Sequence, residues 1–121
     1  MTATTRPQTT EAVLDHHLAA FSAGEMADVL ADYTEDSVII SNNGDFHGLD
    51  EIEQLFQGLF TEFGQEEVSV TLDEQRVHRD VAYITYHAET PDNVYEFVTD
   101  TFLIRNGKIA TQTLGAVVSP K

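Results

Sequence analysis

Thr99-Asp100-Thr101-Phe102-Leu103-Ile104-Arg105-Asn106-Gly107-Lys108-Ile109 reads as a strand, a tight turn and the start of a returning strand. Asn-Gly between β-prone segments is the strongest short-range hairpin signal a sequence offers. One residue is out of place. Asp is depleted in strands and costly to bury without a partner, so Asp100 is the first candidate for a functional group.

The register of this hairpin decides what lies opposite Asp100. A two-residue turn at Asn106-Gly107 brings Thr113 across from it, whereas a three-residue loop from Arg105, with Gly107 as a left-handed bulge, brings Gln112. A one-residue slip turns every side chain to the other face. The second register is favoured, because one face then collects Val98, Asp100, Phe102 and Ile104 with Gln112, Leu114 and Ala116.

The same reading extends outward. Val68, Val70 and Leu72 alternate with polar residues, and further strands are expected over Val81 to Glu89, Tyr95 to Ile104 and Ile109 to Val118. Turns at Arg79-Asp80, Pro91-Asp92-Asn93 and Asn106-Gly107 join them. Toward the N-terminus, Thr9 or Thr10 with Glu11 suits a helix start, and Val13, Leu14, His17, Leu18 and Phe21 recur at helical spacing until Gly24. A short second helix is expected over Asp28 to Tyr33, then a strand Ser37 to Ser41, a turn at Asn42-Asn43-Gly44 and a return strand Asp45 to His47. Gly48 breaks the chain, and Asp50 is expected to cap a helix carrying the stripe Ile52, Leu55, Phe56, Leu59 and Phe60. Helices first and hairpin-linked strands last spell an α+β domain, an antiparallel sheet with helices on one face. Residues 1–8 read as a disordered tail and residues 9–118 as a single domain.

Composition narrows the chemistry. The chain has 121 residues and no cysteine, which excludes disulfides, thiolate nucleophiles and Cys-ligated zinc. It carries 21 Asp and Glu against 6 Lys and Arg, for a net charge of −15, a field that repels nucleic acid and anionic membrane. The carboxylates are spread along the sequence as a solvated surface; a high-salt habitat and an ordinary acidic protein both fit. No stretch approaches a membrane span or an apolar leader, so a cytoplasmic location is the expectation. His16, His17, His47, His78 and His87 show no metal-ligand spacing, and neither a phosphate-cradling Gly-rich loop nor Gly-x-Ser-x-Gly is present. No metal or cofactor is expected.

The element order α-α-β-β-α-β-β-β-β, with His17 to Glu25, Tyr33 to Val38, Gly48 to Ile52, Asp100 to Phe102 and Asn106 to Ile109, resembles the nuclear transport factor 2-like superfamily. That superfamily includes ketosteroid isomerase and the SnoaL-like polyketide cyclases. The resemblance implies a cone-shaped, strongly curved antiparallel sheet with three helices on its concave face, an enclosed pocket, and a homodimer packed through the sheet. It places Asp100 where the isomerases hold the protonated Asp of their oxyanion hole, and His17 where they carry its tyrosine. Ser41 stands where their general base, a carboxylate, should be, and a hydroxyl cannot abstract a carbon-bound proton unaided. The Asp-Arg-Asp set of limonene epoxide hydrolase-like members is not evident either.

The resemblance aims Tyr83, Thr85 and His87 into the pocket, with Ala82, Ile84, Tyr86 and Ala88 on the other face. His87 and Asp100 then form the expected catalytic pair. His17, Tyr33, Ser41, Phe56, Phe102, Gln112 and Leu114 complete the expected lining. Each also has an ordinary structural reading: a core histidine, a packed tyrosine, a strand Asp satisfied by its neighbours. The expected dimer surface is Tyr95, Phe97, Thr99, Thr101 and Leu103, with Tyr86 and Ile84. The function that follows is binding of a small apolar molecule, with cofactor-free isomerase- or cyclase-type chemistry on an enolisable carbonyl. A non-catalytic binding or dimerisation module is the alternative, since this fold hosts many functions.

Overall fold

The structure, a computed structural model, describes residues 9–121; the tail expected over 1–8 lies outside them. The element order is α1 (Thr10–Ala23), α2 (Met26–Leu30), β1 (Val38–Ser41), β2 (Gly44–His47), α3 (Gly48–Phe63), β3 (Ser69–His78), β4 (Val81–Glu89), β5 (Asn93–Arg105) and β6 (Lys108–Pro120). No helix among the described residues is long and apolar enough to cross a membrane.

α1 begins and ends where its capping residues dictate. The Thr9 hydroxyl accepts the Ala12 N–H at 3.0 Å, and Gly24 turns left-handed so that its N–H meets the carbonyls of Ala20 and Phe21. α2 is shorter and earlier than expected. α3 starts at Gly48 rather than beyond an Asp50 cap. The Glu51 carboxylate accepts the His47 N–H at 2.7 Å, and Gly48 sits at φ +79° with the Glu35 carbonyl 3.3 Å from where a Cβ would be. A side chain there would be both strained and crowded.

Six strands form one sheet in the order β2-β1-β6-β5-β4-β3. Its neighbours are antiparallel except for one pair, because β1 runs parallel to β6. The expectation of an all-antiparallel sheet is corrected to a mixed one. The long path from β1 through β2, α3 and β3 to β5 supplies the crossover that a parallel pair needs. Bulges interrupt β3 at Leu72/Glu74, β4 at Tyr86/Ala88 and β5 at Tyr95/Phe97 and Leu103/Ile104. Each increases the local bend and twist, and together they curve the sheet around the helices.

The hairpin register differs from both alternatives. Arg105 pairs with Lys108, so the turn is the two-residue one, with Asn106 and Gly107 both at positive φ. Ile104 pairs with Ile109 but Leu103 pairs with Thr111, so Ala110 is extra, and Asp100 faces Leu114 rather than Thr113 or Gln112. That one-residue shift restores Gln112 to the face of Asp100, opposite Phe102. The face expected to collect Asp100, Phe102, Gln112 and Leu114 forms by a different register.

The core lies between this sheet face and the helices. Val13 and Leu14 of α1, Ile52 and Phe56 of α3, Ile39 of β1 and Ile84, Phe102 and Ile109 of the sheet are all buried. Phe21, Phe56 and Phe60 pack as an aromatic cluster with ring centroids 5.4–6.1 Å apart.

Candidate functional site

The curved sheet and the helices enclose a cavity of about 660 Å³. Its wall is mostly apolar: Phe21 of α1, Leu55, Phe56, Leu59 and Phe63 of α3, and Ile84, Val98, Phe102, Leu114 and Ala116 of the sheet. Its polar groups are few, as in pockets built for small organic molecules. They include His17, Ser41, Asn42, Asn43, Tyr86, Tyr95, Asp100 and Gln112.

Asp100 is the buried carboxyl among them. Ile84 and Leu114 flank it across β4 and β6. Its Oδ2 accepts the Gln112 Nε2–H at 3.1 Å, while Oδ1 is buried with no hydrogen-bond partner. Burial disfavours the charged form and the Gln112 bond favours it; burial wins, pushing Asp100 up to about 7. Near neutral pH it is therefore a group able to donate or to accept.

Gln112 is fixed from behind. The Tyr33 hydroxyl donates to Gln112 Oε1, which obliges the amide nitrogen to face Asp100. Tyr33 itself is held by the chain entering β1: the Ile109 N–H donates to the Asp32 carbonyl at 2.7 Å, and the Ser37 hydroxyl to the Ile109 carbonyl at 2.6 Å. Burial first, and then the charges of Asp100 and Asp32, push the Tyr33 hydroxyl well above its ordinary value. The same burial and Asp100 raise that of Tyr86. Both phenols are therefore protonated donors.

Of the residues expected at the site, His17, Ser41, Phe56, Phe102, Gln112, Leu114 and Asp100 line the cavity. Tyr33 stands one layer behind, supporting Gln112. Tyr83, Thr85 and His87 do not reach it. β4 pairs Ile84 with Asp100 and Tyr86 with Val98, so the half Ala82, Ile84, Tyr86, Ala88 faces inward. His87 lies exposed on the opposite face, its Nδ1 2.9 Å from Asp73 Oδ2. The expected His87–Asp100 pair is not formed. The apolar content of the two β4 halves carried the right signal, since the inward face of a half-buried strand takes the apolar set.

Two further placements were not legible. The bulge between Tyr95 and Phe97 turns Tyr95 to the cavity side, where its hydroxyl donates to Glu62 Oε1 at 2.6 Å. Tyr95, Tyr86 and Ile84 therefore leave the outer surface to which they were assigned. Asp32, which no local sequence pattern marks, is buried beside two histidines: His16 Nδ1 lies 2.8 and 2.9 Å from its two carboxylate oxygens. Among the described residues, no group of three or more His, Cys, Asp or Glu side chains is arranged to hold a metal.

A bulge-curved sheet wrapped by three helices around an apolar cavity defines the nuclear transport factor 2-like class of α+β proteins. Residues 14–112 match the model of the SnoaL-like domain, and the chain belongs to that family. No curated protein matches it by sequence. Solved structures show the same fold. A ketosteroid isomerase-like protein from Erwinia carotovora atroseptica SCRI1043 is 18% identical, with 92% of this chain and 95% of that one covered at a TM-score of 0.64. An epoxide hydrolase of M. tuberculosis, similar to limonene epoxide hydrolase, is 17% identical over 92% of this chain and 86% of its own, with a TM-score of 0.69. A candidate polyketide cyclase of Sinorhizobium meliloti is 15% identical over 84% and 92%, with a TM-score of 0.70. At these identities the likeness is one of fold.

Proposed function

We propose that this protein binds a small, mostly apolar carbonyl compound in the cavity and catalyses cofactor-free proton transfer next to that carbonyl, in the manner of an isomerase or cyclase. The observation that carries the reading is Asp100, a buried carboxyl with one oxygen held by Gln112 and the other unpartnered. Protonated, it donates a hydrogen bond to a ligand carbonyl and stabilises the negative charge that develops there on enolisation. The apolar wall supplies affinity, and the low polarity around buried Asp100 strengthens that single hydrogen bond.

Ser41 limits the class of reaction. Its hydroxyl donates to the Gly44 carbonyl at 2.8 Å and accepts the Asn43 N–H at 3.1 Å, so it is occupied in the β1–β2 turn. Steroid double-bond isomerisation, which needs a carboxylate there, is expected to be absent. The same observation favours the second reading, a binding module without turnover. Deuterium incorporation at the α-carbon of small cyclic ketones, followed by NMR, separates the two. Exchange accelerated by the wild type and abolished in Asp100→Ala supports the catalytic reading. Saturable ketone binding without exchange leaves the binding module, and neither binding nor exchange ends both.

A homodimer through the outer sheet face is also proposed. Ile40, Phe97 and Val117 present 44–55% of their surface there, three large apolar side chains on adjacent strands. Sedimentation at micromolar concentration is expected to give twice 13.4 kDa, and Phe97→Glu to give the monomer. A wild-type monomer at every concentration would overturn this.

A further inference from the structure

With Asp100 engaged as the donor, Ser41 occupied and His87 outside, the proposed chemistry needs a second group to accept the carbon-bound proton. A partly buried cluster between α1 and the end of α2 supplies one. His17 and Asp32 expose only 6% and 9% of their side chains, while His16 exposes 50%. His16 Nδ1 holds both Asp32 oxygens, and His17 Nδ1 is buried without a hydrogen-bond partner, 3.7 Å from Asp32 Oδ2. That distance is just beyond hydrogen-bond range, and bonds of this kind tighten when a ligand fills a site.

The His17 ring has little freedom to turn. Phe102, Tyr33 and Phe56 pack edge-on against it, with centroids 5.4, 5.8 and 6.0 Å away. Asp32 does not line the cavity and His17 does. Nδ1 therefore faces a carboxylate at the back, and Nε2 is the nitrogen left for a ligand.

We infer that Asp32 is the positioning residue that keeps the Nδ1 proton of His17 and so presents an unprotonated Nε2 to the cavity as the base for proton abstraction. Two nitrogens and one proton make neutral imidazole a donor at one end and an acceptor at the other, and the carboxylate selects which. A carboxylate behind a histidine also stabilises the imidazolium formed when the proton arrives. The assignment deepens the carbonyl reading above and rests on it. The α-carbon C–H bond breaks, its proton goes to His17 Nε2, and its electron pair becomes the enolate double bond. The enolate oxygen takes the hydrogen bond from Asp100. Returning the proton to another carbon of the enolate gives the isomer; returning it to the same carbon gives exchange.

The ligand this pair selects carries an acidic C–H beside a carbonyl, with an apolar body to fill the wall. It differs from the expectation drawn from sequence, in which His17 stands in for a tyrosine donor. Here His17 accepts and Asp100 donates.

The test is the tautomer of neutral His17, read from ¹⁵N chemical shifts of the unliganded protein, beside α-proton exchange on cyclohexanone. Wild type is expected to show protonated Nδ1 and bare Nε2. In Asp32→Asn the Nε2–H form is expected to take over, with exchange slowed by on the order of 10²-fold and little change in ketone binding. Asp32→Glu is expected to recover part of that exchange. A wild-type Nε2–H tautomer overturns the assignment without recourse to any variant, as does an Asp32→Asn protein whose His17 keeps the wild-type tautomer. Wild type that shows the expected tautomer but exchanges no ketone overturns the carbonyl reading and, with it, the role of His17 as base.

Discussion

Asp100→Asn is expected to gain stability over the wild type as pH rises, by about 4 kcal/mol between pH 4 and pH 8. Folded, Asp100 holds its proton up to about pH 7, whereas the ordinary carboxyl loses it near 3.8. Across that window the folded state binds more protons than the unfolded chain. The contribution of Asp100 is therefore fully present below pH 4 and lost as pH rises through about 7. Asn is neutral throughout and nearly the same shape, so the difference between variant and wild type isolates this one group from the other carboxylates. Urea melts of both proteins across the range measure it. A difference flat to within about 1 kcal/mol would mean that Asp100 is solvated, and its use as a neutral donor would fall.

The same group gives a binding prediction of opposite direction. Carbonyl affinity in the wild type should weaken as pH rises through about 7, because the ionised form has no proton to donate. Asp100→Asn should keep most of the affinity, since an amide still donates, while Asp100→Ala should lose it. Unimpaired binding in both variants would leave Asp100 a structural residue.

Phe56→Ala is the other large effect, with an expected loss of about 3–5 kcal/mol. Phe56 is only 3% exposed and is the ring on which α1, α3 and the cavity wall converge. Its neighbours Phe21, Phe60, His17 and Tyr33 all lie with ring centroids 6.0–6.1 Å away. Against a total stability of roughly 5–15 kcal/mol for a domain this size, such a loss is a large share. Removing the ring would also free the His17 imidazole, so ketone affinity should fall even where the variant remains folded. A loss below about 1 kcal/mol in urea melts would show that the aromatic cluster is not the core.

Local chemistry fixed much of the fold in advance. Thr9 and Gly24 bracket α1 at the observed Thr10–Ala23, because capping and left-handed turning depend on residues within a few positions of the helix end. Asn106-Gly107 marked the hairpin for the same reason. The spacing of Ile52, Leu55, Phe56, Leu59 and Phe60 marked the buried face of α3, since helical periodicity is intrinsic to the chain. The place of Asp100 in a strand, on a face with Phe102 and Gln112, was equally legible.

What escaped the sequence depends on pairing between distant strands. The extra residue at Ala110 set the register of Asp100, and the bulge before Phe97 sent Tyr95 inward; neither has a local residue pattern that announces it. The parallel pairing of β1 with β6 joins segments some seventy residues apart, where only the finished sheet decides direction. His87 lies outside the site because a strand has two faces, and the apolar half Ala82, Ile84, Tyr86 and Ala88 takes the inward one. Asp32 gained its meaning only when α2 packed beside α1 and brought one carboxylate against His16 and His17. The sequence by itself determined the elements, the turns and the residue types at the cavity. Tertiary structure decided which of them meet, because a buried polar group acquires its chemistry from partners brought to it by the fold.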